Sequence, residues 1–210
     1  MKLKILHGVN FDHYNWKATR NAFKIDMGVF KGNFLQVMNK LTWGFLPTLA
    51  GNVIAHGCNL AGKVDNVSDL EGMLALSGVT TGERAFTVGC YSMGPEGYQA
   101  TWKDHLFVHE YGHYIQSQRM GPFYFQIVAI PSLLSAAFTS KWAGMDHDFR
   151  WFEIDASRCG ARYFDKKYGS GASGYKKASP DYFDRESFET YQGGKYNKSP
   201  YINPRTGKNT

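Results

Sequence analysis

Residues 109–113, His-Glu-Tyr-Gly-His, constrain the fold of this 210-residue chain more than any other segment. On an α-helix, residues four apart lie on the same face, one turn above each other. His109 and His113 can therefore grip one Zn²⁺ from a single helix, and Glu110 between them can reach a water on the metal. The pattern predicts a helix here that carries chemistry on one of its faces.

The flanking residues support a helix over about 101–118. Thr101-x-x-Asp104 is a start signal and Gly121-Pro122 is a stop signal. At about 100° per residue, the side of the helix opposite the two histidines is apolar. It consists of Phe107, Val108, Tyr111 and Ile115. This separation favours a ligand pair over two histidines buried incidentally in a core. His105, one turn before His109, is expected at the rim of the site, because it lies too far from His113 to share one zinc.

Composition bounds the class of protein. The length suits one domain, and contents of 43% hydrophobic and 16% aromatic residues exclude disorder of the whole chain. The net charge of +6 comes with no nucleic-acid-binding motif, so we expect a solvated basic surface and no nucleic-acid partner. The three cysteines are too widely spaced to indicate a zinc ribbon or a disulfide framework.

Targeting and membrane signals are weak. The first residues contain no apolar run typical of a signal peptide, which predicts a cytoplasmic protein or one exported as part of a larger secreted chain. The segment Phe123–Phe138 is nearly all apolar, but it contains Gln126 and Pro131 and is shorter than the roughly 20 residues of a membrane span. We therefore predict that it forms a buried helix or bent helical pair, without stable membrane insertion.

Other elements are predicted from local patterns. Apolar alternation indicates a short strand near 22–30, and helical spacing indicates a helix near 33–42. Two strand candidates follow at Gly72–Val79 and Arg84–Tyr91, separated by a turn at residues 80–83. Periodicity is lost after Tyr168, which predicts a folded domain over residues 1–168 and an extended or partly ordered basic tail over 169–210.

A zinc site of this kind needs a third protein ligand, and the candidates after His113 are Glu153, Asp155 and His147. If residues 148–167 form one helix, Glu153 falls on its apolar stripe, whereas Asp155 falls on its polar stripe. A buried carboxylate is costly unless a cation or a metal neutralises it. Glu153 is therefore the favoured ligand, and Asp155 and His147 remain its rivals.

Two stretches resemble known families. Residues 109–135, with Gln116-Ser117-Gln118 and Ile130-Pro131-Ser132, resemble metallopeptidase-like domains at the C-termini of bacterial RHS-repeat proteins, as do residues 23–30 and 62–65. Residues 153–161 are similar to the ExxADRxGA helix of gluzincin peptidases, in which the Glu is the third zinc ligand. Ser157 stands where that pattern has Asp, so the hydrogen bond of the Asp to a ligand would come from a hydroxyl.

The resemblance implies a zincin-like α+β fold, with a small β-sheet packed on the His-Glu-x-x-His helix and a helical C-terminal half. It implies a zinc metallopeptidase with one Zn²⁺ per chain, which acts on a peptide or protein and can be part of a larger RHS-type polypeptide. His109, His113 and Glu153 would bind the zinc, Glu110 would act as general base, and Tyr163 is the candidate for a second oxyanion donor. The alternative is a catalytically inactive zincin-like binding or structural module.

Overall fold

The computed structural model describes residues 11–82, 84–134 and 151–169, with side chains from residue 16 onward. In these ranges the chain is α+β and mostly helical, with a small four-stranded mixed sheet. The helices are α1 (Phe11–Met27), α2 (Phe34–Leu41), α3 (Phe45–Leu60), α4 (His105–Met120) and α5 (Trp151–Tyr168). The strands are β1 (Asn66–Leu70), β2 (Met73–Ser77), β3 (Phe86–Val88) and β4 (Tyr91–Met93).

The sheet has the order β1-β2-β4-β3. Strand β2 pairs antiparallel with β1 and parallel with β4, and β3 pairs antiparallel with β4. All five residues of β2 are buried. The side chains of β2 and β4 share one core with the apolar face of α4, which includes Phe107, Val108 and Tyr111. The sheet therefore supports α4 from the side of its apolar residues.

Helix α4 has the predicted boundaries within a few residues. The side chain of Asp104 accepts a hydrogen bond from the backbone N–H of Leu106, which caps the first turn. Gly121 ends the helix with a φ of +55°, a conformation that glycine adopts readily, and Pro122 follows it. The predicted stop is confirmed, whereas the helix that carries the His-Glu-x-x-His motif begins at His105, four residues after the predicted start.

The strand predicted near 22–30 is wrong, because residues 11–27 form helix α1 and Gly28–Phe30 form a 3₁₀ turn. The apolar alternation is misleading here, since Phe23 and Met27 are exposed. The inner face of α1 is instead partly polar. Asn21 donates to the carbonyl of Val64, and Lys24 donates to the carbonyl of Val67. Side-chain hydrogen bonds to the β1 segment therefore replace the apolar stripe that would have indicated a helix.

The remaining local predictions have mixed outcomes. The helix near 33–42 is confirmed as α2, which Asn33 and Gln36 begin with a reciprocal capping box, and the strand over 72–79 is confirmed as β2. The single strand over 84–91 is wrong, because a turn with Gly89 at a φ of +61° divides it into β3 and β4. Helix α3 was not predicted, since Pro47, Gly51 and Gly57 interrupt its pattern. Strand β1 was not predicted either, because only Val67 and Leu70 of its five residues are apolar.

The apolar segment that begins at Phe123 is only half-buried. It contains a 3₁₀ turn at Gly121–Phe123 and a π-helix at Phe125–Ala129, and residues 130–134 continue as helix. Tyr124 and Val128 are buried, but the other side of the segment is exposed at Phe123, Ile127, Ile130, Leu133 and Leu134. The predicted helical conformation is therefore confirmed for residues 123–134, but the predicted burial holds for only one side of the segment. Residues 135–138 lie outside the described part.

The outer faces of α2 and α3 are also apolar, with exposed Phe34, Leu35, Met38, Leu46, Leu49 and Val53. The hydrophobic content of the sequence therefore does not all belong to the core. Despite this composition, no helix within the described ranges is long and apolar enough to cross a membrane. The predicted tail, apart from residue 169, falls outside those ranges.

Candidate metal centre

Helices α4 and α5 pack antiparallel along a seam of close backbone contacts. A Cβ added at Gly112 would lie 1.8 Å from the carbonyl oxygen of Ala156, and one added at Gly160 would lie 1.9 Å from the carbonyl oxygen of Val108. No side chain fits at those distances, so the two helices approach this closely only because glycine occupies both positions. The seam places the side chains of α5 beside the histidines of α4.

We expect Gly112→Ala to separate α4 from α5 and to lower the free energy of unfolding by about 1–3 kcal/mol, since both contacting groups are backbone and cannot rotate away. Gly57→Ala in α3 is the matched control, because a Cβ there meets no atom within 4 Å. That change is expected to stabilise the chain by about 0.5–1 kcal/mol through helix propensity. Urea unfolding of the wild type and both variants gives the three free energies of unfolding. A Gly112→Ala variant as stable as Gly57→Ala would contradict the close approach of the two helices.

Three side chains converge at this seam. Nε2 of His109 lies 3.1 Å from Oε2 of Glu153, and Nε2 of His113 lies 2.9 Å from the same oxygen. One ligand atom from each of the three residues falls within 4.8 Å of the others. Glu153 is 3% exposed and His113 6% exposed, whereas His109 is partly open to solvent. The structure thus brings together the two histidines of the motif and the acidic residue favoured by the helical pattern of α5.

Each of the three side chains also has a contact on its far side. Nδ1 of His109 lies 2.8 Å from Oγ of Ser157, and Ser132 donates to Oε1 of Glu153 over 2.7 Å. Nδ1 of His113 lies 2.9 Å from Oε1 of Gln116. These contacts leave both Nε2 atoms and Oε2 of the carboxylate directed toward one another. Ser157 is therefore one of the residues that orient the triad, through its contact with His109.

The charges in the cluster are strongly coupled. Burial by itself disfavours ionisation of Glu153, but the charge of His113 and hydrogen bonds from both imidazoles hold the pKa of that carboxyl well below its usual range. Burial would likewise lower the pKa of His113, yet the charge of Glu153 and its hydrogen bond raise that pKa to about 9. The cluster therefore favours an ionised Glu153 whose charge a neighbouring cation neutralises.

Glu110 is buried beside the same cluster. It is 3% exposed, and its Oε2 has no hydrogen-bond partner among the described residues. Its negative charge contributes to the raised pKa of His113. Burial raises the pKa of Tyr124, and the charges of Glu110 and Glu153 raise it further. An unpaired buried carboxylate oxygen is costly, so its position beside the triad calls for a donor from a ligand or a water.

The donor set fits a divalent metal such as zinc. Two imidazole nitrogens and one carboxylate oxygen are the ligands of many catalytic zinc sites. Donors at roughly 2.0–2.1 Å from a tetrahedral zinc lie about 3.3 Å apart. The distances of 3.1 and 2.9 Å from the two Nε2 atoms to Glu153 Oε2 are close to that spacing. The three ligand atoms together span up to 4.8 Å, so the two imidazoles would draw closer to each other to hold the ion.

Tyr163 does not join this cluster. Its hydroxyl donates to Oε2 of Glu71 over 2.8 Å, and Lys167 and Tyr168 contact the same carboxylate. It lies ten residues beyond Glu153 on α5, which corresponds to about 15 Å along the helix axis. Tyr163 therefore links the end of α5 to the turn between β1 and β2, through its hydrogen bond to Glu71.

The other candidates from the sequence lie around the centre or outside it. His105 is exposed on the first turn of α4, as expected for the rim. Asp155 is not one of the three converging residues, and its Oδ2 accepts a hydrogen bond from Gln116 instead. His147 lies outside the described ranges.

Sequence reasoning did not assign roles to three residues at the centre. Gln116 follows His113 by three positions, so its place on the same helical face was a usable signal. Ser132 and Tyr124 come from the segment after α4, and no periodic pattern connects them to the candidate metal centre. Tyr124 is buried, and its hydroxyl donates to the carbonyl of Thr87 on β3.

Comparisons of the chain with protein-family models, with curated proteins and with solved structures found no match.

Proposed function

We propose that this chain is a zinc-dependent metallopeptidase with a zincin-like arrangement of its motif helix, sheet and helical C-terminal half. The observation that carries the proposal is the position of Glu110 beside the convergent triad, with a buried carboxylate oxygen that has no partner among the described residues. A purely structural metal site has no use for this oxygen, because leaving it unpaired costs stability. This is what favours hydrolysis over the inactive binding or structural module.

His109, His113 and Glu153 would hold one zinc per chain. When bound, zinc supplies Lewis-acid chemistry: it lowers the pKa of a water and polarises a carbonyl group. The protein contributes the orientation of its donors, through the contacts of Ser157 with His109 and of Ser132 with Glu153. Both contacts restrict side-chain rotation, so little reorganisation is needed when the ion binds.

Glu110 would act as the general base. Its Oε2 would take a proton from the attacking water and return it to the amine of the departing peptide. Burial at 3% exposure keeps bulk water from competing for this oxygen. A substrate would approach from the side of His109, which is partly exposed, since His113, Glu110 and Glu153 are all buried. A peptide or protein is the proposed substrate, and a larger RHS-type polypeptide remains the proposed context of the domain.

Hydrolysis of an unstructured protein tests the proposal. We expect the zinc-loaded chain to cleave casein, to lose that activity on dialysis against a chelator, and to regain it when zinc is restored. Cleavage that resists the chelator would indicate a contaminating protease of another class. A chain that binds zinc but does not cleave casein or a peptide library would favour the binding or structural module.

A further inference from the structure

We infer that Gln116 is a positioning residue that holds His113 in the metal-binding orientation, and that Asp155 and the carbonyl of Phe152 in turn hold Gln116. The inference rests on the proposed zinc site and assigns a role to two residues outside its ligand set. Gln116 is 0% exposed, so each polar atom of its amide must find its partner within the protein.

The partners of the amide determine which way it faces. Its Nε2 donates to the carbonyl oxygen of Phe152 over 2.8 Å and to Oδ2 of Asp155 over 2.9 Å. A carbonyl and a carboxylate only accept hydrogen bonds, so the NH₂ group must point to α5. The other end of the amide, Oε1, is therefore the atom that faces His113.

The orientation of the amide determines the proton on the imidazole. Oε1 of Gln116 is an acceptor and lies 2.9 Å from Nδ1 of His113, so Nδ1 must carry a proton to make this hydrogen bond. With Nδ1 donating to Gln116, Nε2 is the nitrogen that donates to Oε2 of Glu153 in the protein without metal, and the one that would offer its lone pair to zinc once that proton is lost. A chain of acceptor, donor, acceptor and donor thus runs from Asp155 to the ligand atom of His113.

Asp155 is itself held in place. Its Oδ1 lies 3.7 Å from the thiol of Cys159, and a guanidinium nitrogen of Arg119 lies 3.2 Å from that sulfur. The carboxylate therefore keeps Oδ2 directed at Gln116 without reaching the triad. Asp155 is therefore a residue that orients Gln116 and not a metal ligand. We expect its effect on metal binding to pass through Gln116.

Zinc affinity of variants tests the inference. Gln116→Met keeps a similar side-chain length but removes all three hydrogen bonds, and we expect zinc affinity to fall by about 10–100-fold. Gln118→Met is the matched control, because Gln118 lies on the same helix and its amide contacts Tyr114 and not the triad. We expect that control to keep the affinity of the wild type. Competition titrations with a zinc indicator give the affinities, and thermal unfolding of each apo protein reports whether it is folded.

A charge-conserving exchange gives a second, independent test. In Gln116→Glu the new carboxylate faces two acceptors on α5, the carbonyl of Phe152 and Oδ2 of Asp155, so it should turn away from this position, release His113 and lower zinc affinity. Adding Asp155→Asn restores a donor opposite the introduced carboxylate at unchanged net charge, and it should recover about threefold or more of the affinity. The recovery is partial, because the carbonyl of Phe152 still lacks its donor. A general loss of packing would not be repaired by this second change.

The outcomes separate this inference from the proposed function. Wild-type affinity in Gln116→Met, or an equal loss in Gln118→Met, would overturn the role of Gln116 while leaving the zinc site intact. A double variant no better than Gln116→Glu would overturn the role of Asp155. A wild-type chain without zinc affinity would overturn the zinc site itself, and the inference with it.

Discussion

Replacing Glu153 by alanine is expected to weaken zinc binding by an order of magnitude or more, because it removes the only charged donor among the three converging side chains. It would also change the pKa of His113. Burial lowers that pKa, and the charge of Glu153 outweighs burial and raises the pKa to about 9, so the variant should lose this rise. Zinc affinity of the apo variant, measured by competition with an indicator, shows the loss directly.

Glu71→Ala is the matched control for Glu153→Ala, since Glu71 also carries a hydrogen-bonded carboxylate but pairs with Tyr163, Lys167 and Tyr168 at the other end of α5. It should lower stability without changing zinc affinity. Full affinity in Glu153→Ala, together with metal loss in His147→Ala or a larger loss in Asp155→Ala, would show that the third ligand is misassigned.

Glu110→Gln should retain zinc and lower the rate of peptide hydrolysis by about 10²–10⁴-fold. The amide has nearly the same shape as the carboxylate but cannot take a proton from water. Since Glu110 is not one of the three converging ligands, the metal should stay in place. Hydrolysis and zinc content measured on the same preparation separate the base from the ligands.

His113→Ala provides the contrast for Glu110→Gln, because it should lose both zinc and hydrolysis. Equal rates of hydrolysis in the wild type and Glu110→Gln would remove Glu110 from the mechanism. Loss of zinc in Glu110→Gln would instead place Glu110 among the residues that hold the metal.

Helix α4 could be predicted from the sequence because all of its signals agree. Its apolar period and its Gly121 stop are local and appear in the structure, but the cap is Asp104 and not Thr101, so the helix begins four residues after the predicted start. Helix α1 could not be predicted in the same way, because Asn21 and Lys24 on its inner face bind carbonyls 43 residues away. A periodic apolar pattern identifies a helix only when the buried face is apolar.

The residues of the candidate site also differ in whether a local pattern in the sequence predicts them. The placement of Glu153 followed from the stripe on which it falls, because a buried carboxylate needs a neutralising partner wherever the helix packs. Ser132 could not be found in this way, since its contact with Glu153 depends on how the segment after α4 folds back. Tyr163 was proposed from its type and its distance along the chain, but α5 carries it about 15 Å from Glu153.

Zinc content of the purified chain tests the central claim most directly, namely that His109, His113 and Glu153 form one metal site. Protein prepared without chelator should contain about one zinc per chain by elemental analysis, and the variant with both His109→Ala and His113→Ala should contain almost none. A wild-type chain that holds no zinc and shows no thermal shift when zinc is added would contradict the claim. So would zinc that remains at one per chain in the double variant.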